Sequence, residues 1–224
     1  MLKWFKRKPA PSPVVDPRET LFGDMPLEEW LAVRSDGEGW DLFAEVKEHL
    51  DAGEQAEALE VLKKIVLHPS LESRDYLQAW SVLAGMDVKP HASRARTLYG
   101  VVVEVGLEEG LDILALYADR TALYYNFSGA GVTWGRPDAS LDREVDVLLT
   151  ASVEVLAEIG RWDRERPPAP SEGRARINLL TPSGLHFGEG KFAVLAAHTL
   201  TGPVLKAAST LVEAMLARTG KTVS

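Results

Sequence analysis

The chain has 224 residues, 46 % of them hydrophobic, with 33 acidic against 25 basic side chains and no cysteine. A formal net charge of −8 repels phosphate backbones and speaks against broad nucleic-acid binding, and the lack of cysteine removes disulfides, thiolate metal sites and cysteine nucleophiles. No apolar run approaches the roughly 20 residues that a bilayer span needs, and the start, MLKWFKRKPAPSP, has positive charge but no apolar stretch after it, so it does not read as a secretory signal.

The first residues combine Lys3, Lys6, Arg7 and Lys8 with Leu2, Trp4 and Phe5. Lys3, Trp4, Phe5, Lys6, Arg7 and Lys8 are candidates for weak contact with an anionic membrane or a partner, cations on the headgroups and rings at the interface. The plain alternative is a tail. Pro9, Pro11, Pro13 and Pro17 follow, and proline disfavours helix at the residue before it, so residues 9–20 read as an extended linker. The expected division is a basic start and linker over 1–22, a helical region over 23–92 and an α+β domain over 93–224.

In the helical region, Asp24 is placed to cap a short helix through Leu27, Trp30 and Val33. Gly37 and Gly39 read as its break. Asp41 opens DLFAEVKEHLDAG, with Leu42, Phe43, Val46 and Leu50 at helical spacing. EQAEALEVLKKIVLH follows, with Ala56, Leu59, Leu62, Ile65 and Val66 inward. ESRDYLQAWSVLAGM puts Tyr76, Leu77, Trp80 and Leu83 on one side. These helices resemble helical-hairpin arrays of the tetratricopeptide type over about one and a half units, short of the roughly three repeats that an array needs.

MDVKPHASRA is a polar connector. LYGVVVEVGL, LDILALYA, ALYYNF and VTW then read as β-strands joined by short turns. Apolar residues on both faces imply helical cover on at least one side. Ser140 is expected to cap LDREVDVLLTASVEVLAEIG, with Leu141, Val145, Leu148, Leu149, Ser152, Val155, Leu156 and Ile159 in its apolar stripe. RWDRERPPAPSEG reads as a surface loop. RINLLTPSGLHFGEG reads as a hairpin with a short return strand, KFAVLAAH as a helical turn or a loop, and Thr201 starts a last helix with Val204, Ala207, Ala208, Leu211, Met215 and Leu216 inward.

Two clusters are candidates for chemistry. In TPSGLHFGEG, Ser183, His186 and Glu189 stand beside three glycines, so the loop is a candidate ligand site with His186 as base or donor. A tight hairpin explains the same residues, and strand alternation does not require Ser183 and His186 to meet. In YYNFSGAGVTW, the SGAG turn lacks the Lys-Ser/Thr of a phosphate loop. Tyr125, Asn126 and Trp134 are candidates to line a concave sheet face. The five histidines have no metal-ligand spacing, so no metal, cofactor or catalytic residue is assigned.

The segments VVVEVGL, YNFSGAG and TPSGLHFGEG resemble a family of bacterial proteins of unassigned function, over roughly residues 94–218. The resemblance implies a bacterial source and a shared α+β domain, and no activity. The fold expected is α+β: an antiparallel sheet with two principal helices packed on it, preceded by an α-helical region, faintly like profilin-like or roadblock-type domains. Three functions follow as expectations. The first is a cytoplasmic, non-enzymatic interaction or adaptor protein whose partner is another protein, or a second copy of itself. The second is a ligand binder or hydrolase-like enzyme with His186 near Tyr125, Asn126 or Trp134. The third is a peripheral membrane adaptor through residues 1–8.

Overall fold

The computed structural model describes residues 16–34 and 37–219. Lys3, Trp4, Phe5, Lys6, Arg7 and Lys8 lie outside the described residues. A 3-10 turn at Pro17–Thr20 leads into a strap over residues 21–26. Four helices follow: α1 (Leu27–Val33), α2 (Glu38–Asp51), α3 (Gln55–Leu67) and α4 (Ser73–Gly85). Their shared core holds Trp30, Phe43, Val46, Ala58, Val61, Leu62, Ile65, Ala79 and Leu83. Trp30 meets Phe43 edge-on at 6.1 Å.

Helix boundaries depart from expectation where a polar side chain or a glycine has a tertiary partner. Asp24 does not cap α1, whose N-cap is Pro26; its carboxylate accepts from Arg166 Nε at 2.9 Å instead. Helix α2 opens at Glu38, ahead of Asp41, and runs through Gly39. Gly39 is a contact point, since a Cβ there would stand 3.0 Å from the Asp75 carboxylate. In α3 the inward stripe is Ala58, Val61, Leu62 and Ile65, while Ala56 is exposed. Helix α4 is buried on two sides: Ala79 and Leu83 enter the helical core, and Leu77 enters the core beneath the sheet.

A short helix, α5 (Ala92–Ala95), precedes six strands: β1 (Gly100–Gly106), β2 (Leu111–Tyr117), β3 (Ala122–Tyr125), β4 (Gly131–Trp134), β5 (Arg174–Thr181) and β6 (Gly184–Lys191). They form one sheet in the order β4-β3-β2-β1-β5-β6. Every neighbouring pair is antiparallel. Between β4 and β5 runs α6 (Asp142–Glu158), and α7 (Phe192–Ala197) and α8 (Thr201–Thr219) follow β6. Ser140 does not cap α6; its hydroxyl accepts from Arg218 Nε on α8 at 3.0 Å.

Period-two alternation divides the sheet into two buried faces. Val101, Val103, Leu114, Leu116, Tyr124, Ile177 and Leu179 face α6 and α8, which contribute Val145, Leu148, Val155, Leu156, Val204, Leu211 and Met215. Val102, Ile113, Ala115, Tyr117, Leu123 and Leu180 face the strap and α4 through Leu21, Phe22 and Leu77. Tyr117 Oη donates to the Leu21 carbonyl at 2.6 Å, which satisfies a buried hydroxyl and fixes the strap. Ser73 at the start of α4 and Asp119 after β2 exchange hydrogen bonds of 2.6 and 3.1 Å. The return strand β6 is as long as β5 because Glu189 pairs with Arg174 and Arg176 across the ladder and extends it past Phe187. Among the described residues, no helix is long and apolar enough to cross a membrane.

Candidate functional site

The structure separates the residues expected to share a ligand site. His186 lies on edge strand β6, while Tyr125 and Trp134 lie on β3 and β4 toward the other edge. Four strand spacings, about 19 Å, part His186 from Tyr125. Tyr125 and Trp134 also point to opposite faces: Tyr125 packs on the strap side, and Trp134 on the α6–α8 side. Tyr125 pairs with Gly131, three residues from Trp134, and an odd offset reverses the face. Asn126 builds the turn itself, its Oδ1 accepting from Ser128 N, Ser128 Oγ and Ala130 N. Glu189 is held in ion pairs with Arg174 and Arg176; burial works against its charged form, but the two guanidiniums keep its carboxyl below the usual range.

Ser183 and His186 do meet, Oγ to Nε2 at 3.3 Å, because Ser183 sits in the turn, where strand alternation no longer applies. Ser183 Oγ also shares a 2.8 Å hydrogen bond with Thr181 Oγ1. The imidazole is 1 % exposed and faces the α6–α8 side of the sheet. Among the described residues no side chain bonds its Nδ1, and the backbone of Ile159 and Gly160 favours the protonated ring. Burial pushes its pKa down, and the charge of Arg96 pushes the same way. A nucleophile–base relay needs an orienting acid behind the ring, and among the described residues no carboxylate bonds it. No group of three or more His, Asp or Glu side chains among the described residues is placed to hold a metal.

The other side of the TPSG turn opens onto a cleft of about 220 Å³. Its floor is Phe22, Leu77, Leu180 and Leu185, and its walls carry Trp80 and Ser81 from α4, Trp162, Arg161, Arg164 and Arg166 from the loop, and Thr181 and Ser183 from the hairpin. The loop is held to the sheet edge by Trp162 N, which donates to the Leu185 carbonyl at 2.8 Å. Trp162 packs edge-on against Phe187 at 5.0 Å. From RWDRER, Arg161, Trp162, Arg164 and Arg166 line the cleft, while Asp163 and Glu165 do not.

The three arginines are not equivalent. Arg166 bonds Glu19 and Asp24 and lies 4.3 Å over the Phe22 ring. Burial disfavours its charge, yet the two carboxylates hold its pKa above the ordinary value. Arg164 lies over the Trp162 ring, 5.6 Å from its centroid. Arg161 stands beside Gly184. Neither Arg161 nor Arg164 has a carboxylate partner among the described residues.

Sequence reasoning passed over this cleft because RWDRER read as a loop. The available signal was three arginines and a tryptophan within six residues. It also passed over the charges behind the cleft. Glu104, inside the apolar run VVVEV, is fully buried and accepts from Arg18 Nε at 2.6 Å and Asn178 Nδ2 at 2.9 Å. Arg176 lies 3.5 Å away and bonds Glu189 in turn. From edge to cleft, Arg174, Glu189, Arg176, Glu104, Arg18, Glu19, Arg166 and Asp24 form an alternating chain. Four cations meet four anions in it, so it has no cation to spare for a ligand.

No family model, curated protein or solved structure matches this chain.

Proposed function

We propose that this chain is a non-enzymatic binding protein, an adaptor that captures an anionic group of a protein partner in the cleft beside the TPSG turn. The observation that carries the reading is the pair Arg161 and Arg164. In a chain with eight more acids than bases, these two guanidiniums lack a carboxylate among the described residues and line a cleft with an apolar floor. Guanidinium suits bidentate capture of a carboxylate or phosphate, and an aromatic and apolar surround is typical of the centre of a contact. The bacterial source implied by the sequence motifs, and a cytoplasmic setting, belong to the same proposal.

A photo-reactive amino acid in place of Ser81, on the rim, tests the reading in the source cell. A crosslink to one defined partner from Ser81, lost in R161E/R164E, is the expected result. A crosslink from Val153, exposed on the outer side of α6, with none from Ser81 would move the interaction to another surface and overturn the assignment.

A further inference from the structure

We infer that the group captured is a terminal carboxylate on a compact apolar residue, the last residue of a partner chain. The inference rests on the binding reading above and deepens it. Three features of the cleft point to it.

The first is charge. Arg166 is neutralised within the alternating chain of ion pairs, which leaves Arg161 and Arg164 as the wall cations with no carboxylate partner among the described residues. The two oxygens of a carboxylate offer one acceptor to each guanidinium.

The second is size. A volume of about 220 Å³ is below the roughly 300–1,000 Å³ of sites for drug-sized ligands. It accommodates one residue, not a nucleotide or a folded surface.

The third is the division of the walls. Phe22, Leu77, Leu180 and Leu185 offer an apolar floor for a side chain. Arg161, Arg164 and Ser81 add polar side chains to the lining. A terminal residue presents that combination, an apolar side chain and two carboxylate oxygens on one carbon frame. Carboxylate capture at the end of a chain is a known mode of peptide recognition.

The probes are N-acetyl-leucine and its uncharged counterpart N-acetyl-leucinamide, titrated into the full chain while the tryptophan indole N–H signals are followed by NMR. Trp80 and Trp162 line the cleft, and Trp30 lies in the helical core as an internal control. A ligand of this size is expected to bind with a Kd of about 1 mM. N-acetyl-leucine should shift the Trp80 and Trp162 signals and leave Trp30 unmoved. The amide should bind at least about tenfold more weakly, as loss of a charge-assisted contact implies, and R161Q/R164Q should lose the acid's advantage. Equal shifts from acid and amide overturn the inference. So does the absence of any shift at about ten times the expected Kd; with the Ser81 crosslink intact, that result removes the carboxylate and leaves the partner docked by another group.

Discussion

Glu104 shows how one side chain organises a face of the sheet. Its carboxylate is fully buried and ties β1 to Arg18 in the N-terminal turn, Asn178 in β5 and Arg176 beyond it. Removing one member of a buried pair strands the other in low dielectric, at a cost of about 3–5 kcal/mol. E104Q is therefore expected to lose about 3 kcal/mol in urea unfolding, with Arg18 and Arg176 left short of a counter-charge; a loss near zero would mean that water reaches the network. His186 gives the pH prediction. Burial, then Arg96, hold its folded pKa below the ordinary 6.5. The unfolded chain then takes up protons first as the pH falls. The stability of neutral His186 is complete above about pH 6.5 and declines as the pH falls toward the lower folded value. H186N, which cannot titrate there, should show a smaller drop in unfolding midpoint between pH 7 and pH 5.5 than the parent chain. Equal drops would assign the acid sensitivity to other groups, such as Glu19 or Glu189.

At the scale of elements, the strap between the 3-10 turn and α1 joins the helical region to the sheet. Gly23 adopts a left-handed φ of +64°, and a Cβ there would lie 2.5 Å from Leu77 Cβ on α4. G23A is expected to cost about 2 kcal/mol by combining backbone strain with overpacking. It should also open the cleft, seen as a changed Trp80 environment in fluorescence; an unchanged midpoint would show that the strap adapts. The strands were legible in the sequence because each carries its own alternation or apolar run. Helices α6 and α8 were legible because their stripes match the 3.6-residue period. The caps were not. Asp24 and Ser140 have the right chemistry to cap, but each has a stronger partner far along the chain, Arg166 and Arg218. The site was legible only in part. TPSG was singled out, and Ser183 does line the cleft. His186 turned to the other face, and Tyr125 and Trp134 fell on opposite faces, because face depends on ladder register, and register is a pairing between strands that no single segment encodes.

For the molecule as a whole, stability and recognition fall to different arginines. Arg166 closes the alternating chain of charges on Glu19 and Asp24, so R166Q is expected to destabilise by about 2 kcal/mol. Arg161 and Arg164 are exposed and have no carboxylate partner among the described residues, so R161Q/R164Q should change the unfolding free energy by less than about 0.5 kcal/mol. Side-by-side urea curves check this contrast, and a double variant as weak as R166Q would mean that the two arginines hold the loop rather than a ligand. The most direct test of the account is affinity capture from an extract of the source cell with the parent chain and R161E/R164E, both shown to be folded. The account predicts one stoichiometric partner on the parent chain and its loss from the variant. The same partner retained at the same level on folded R161E/R164E would contradict it.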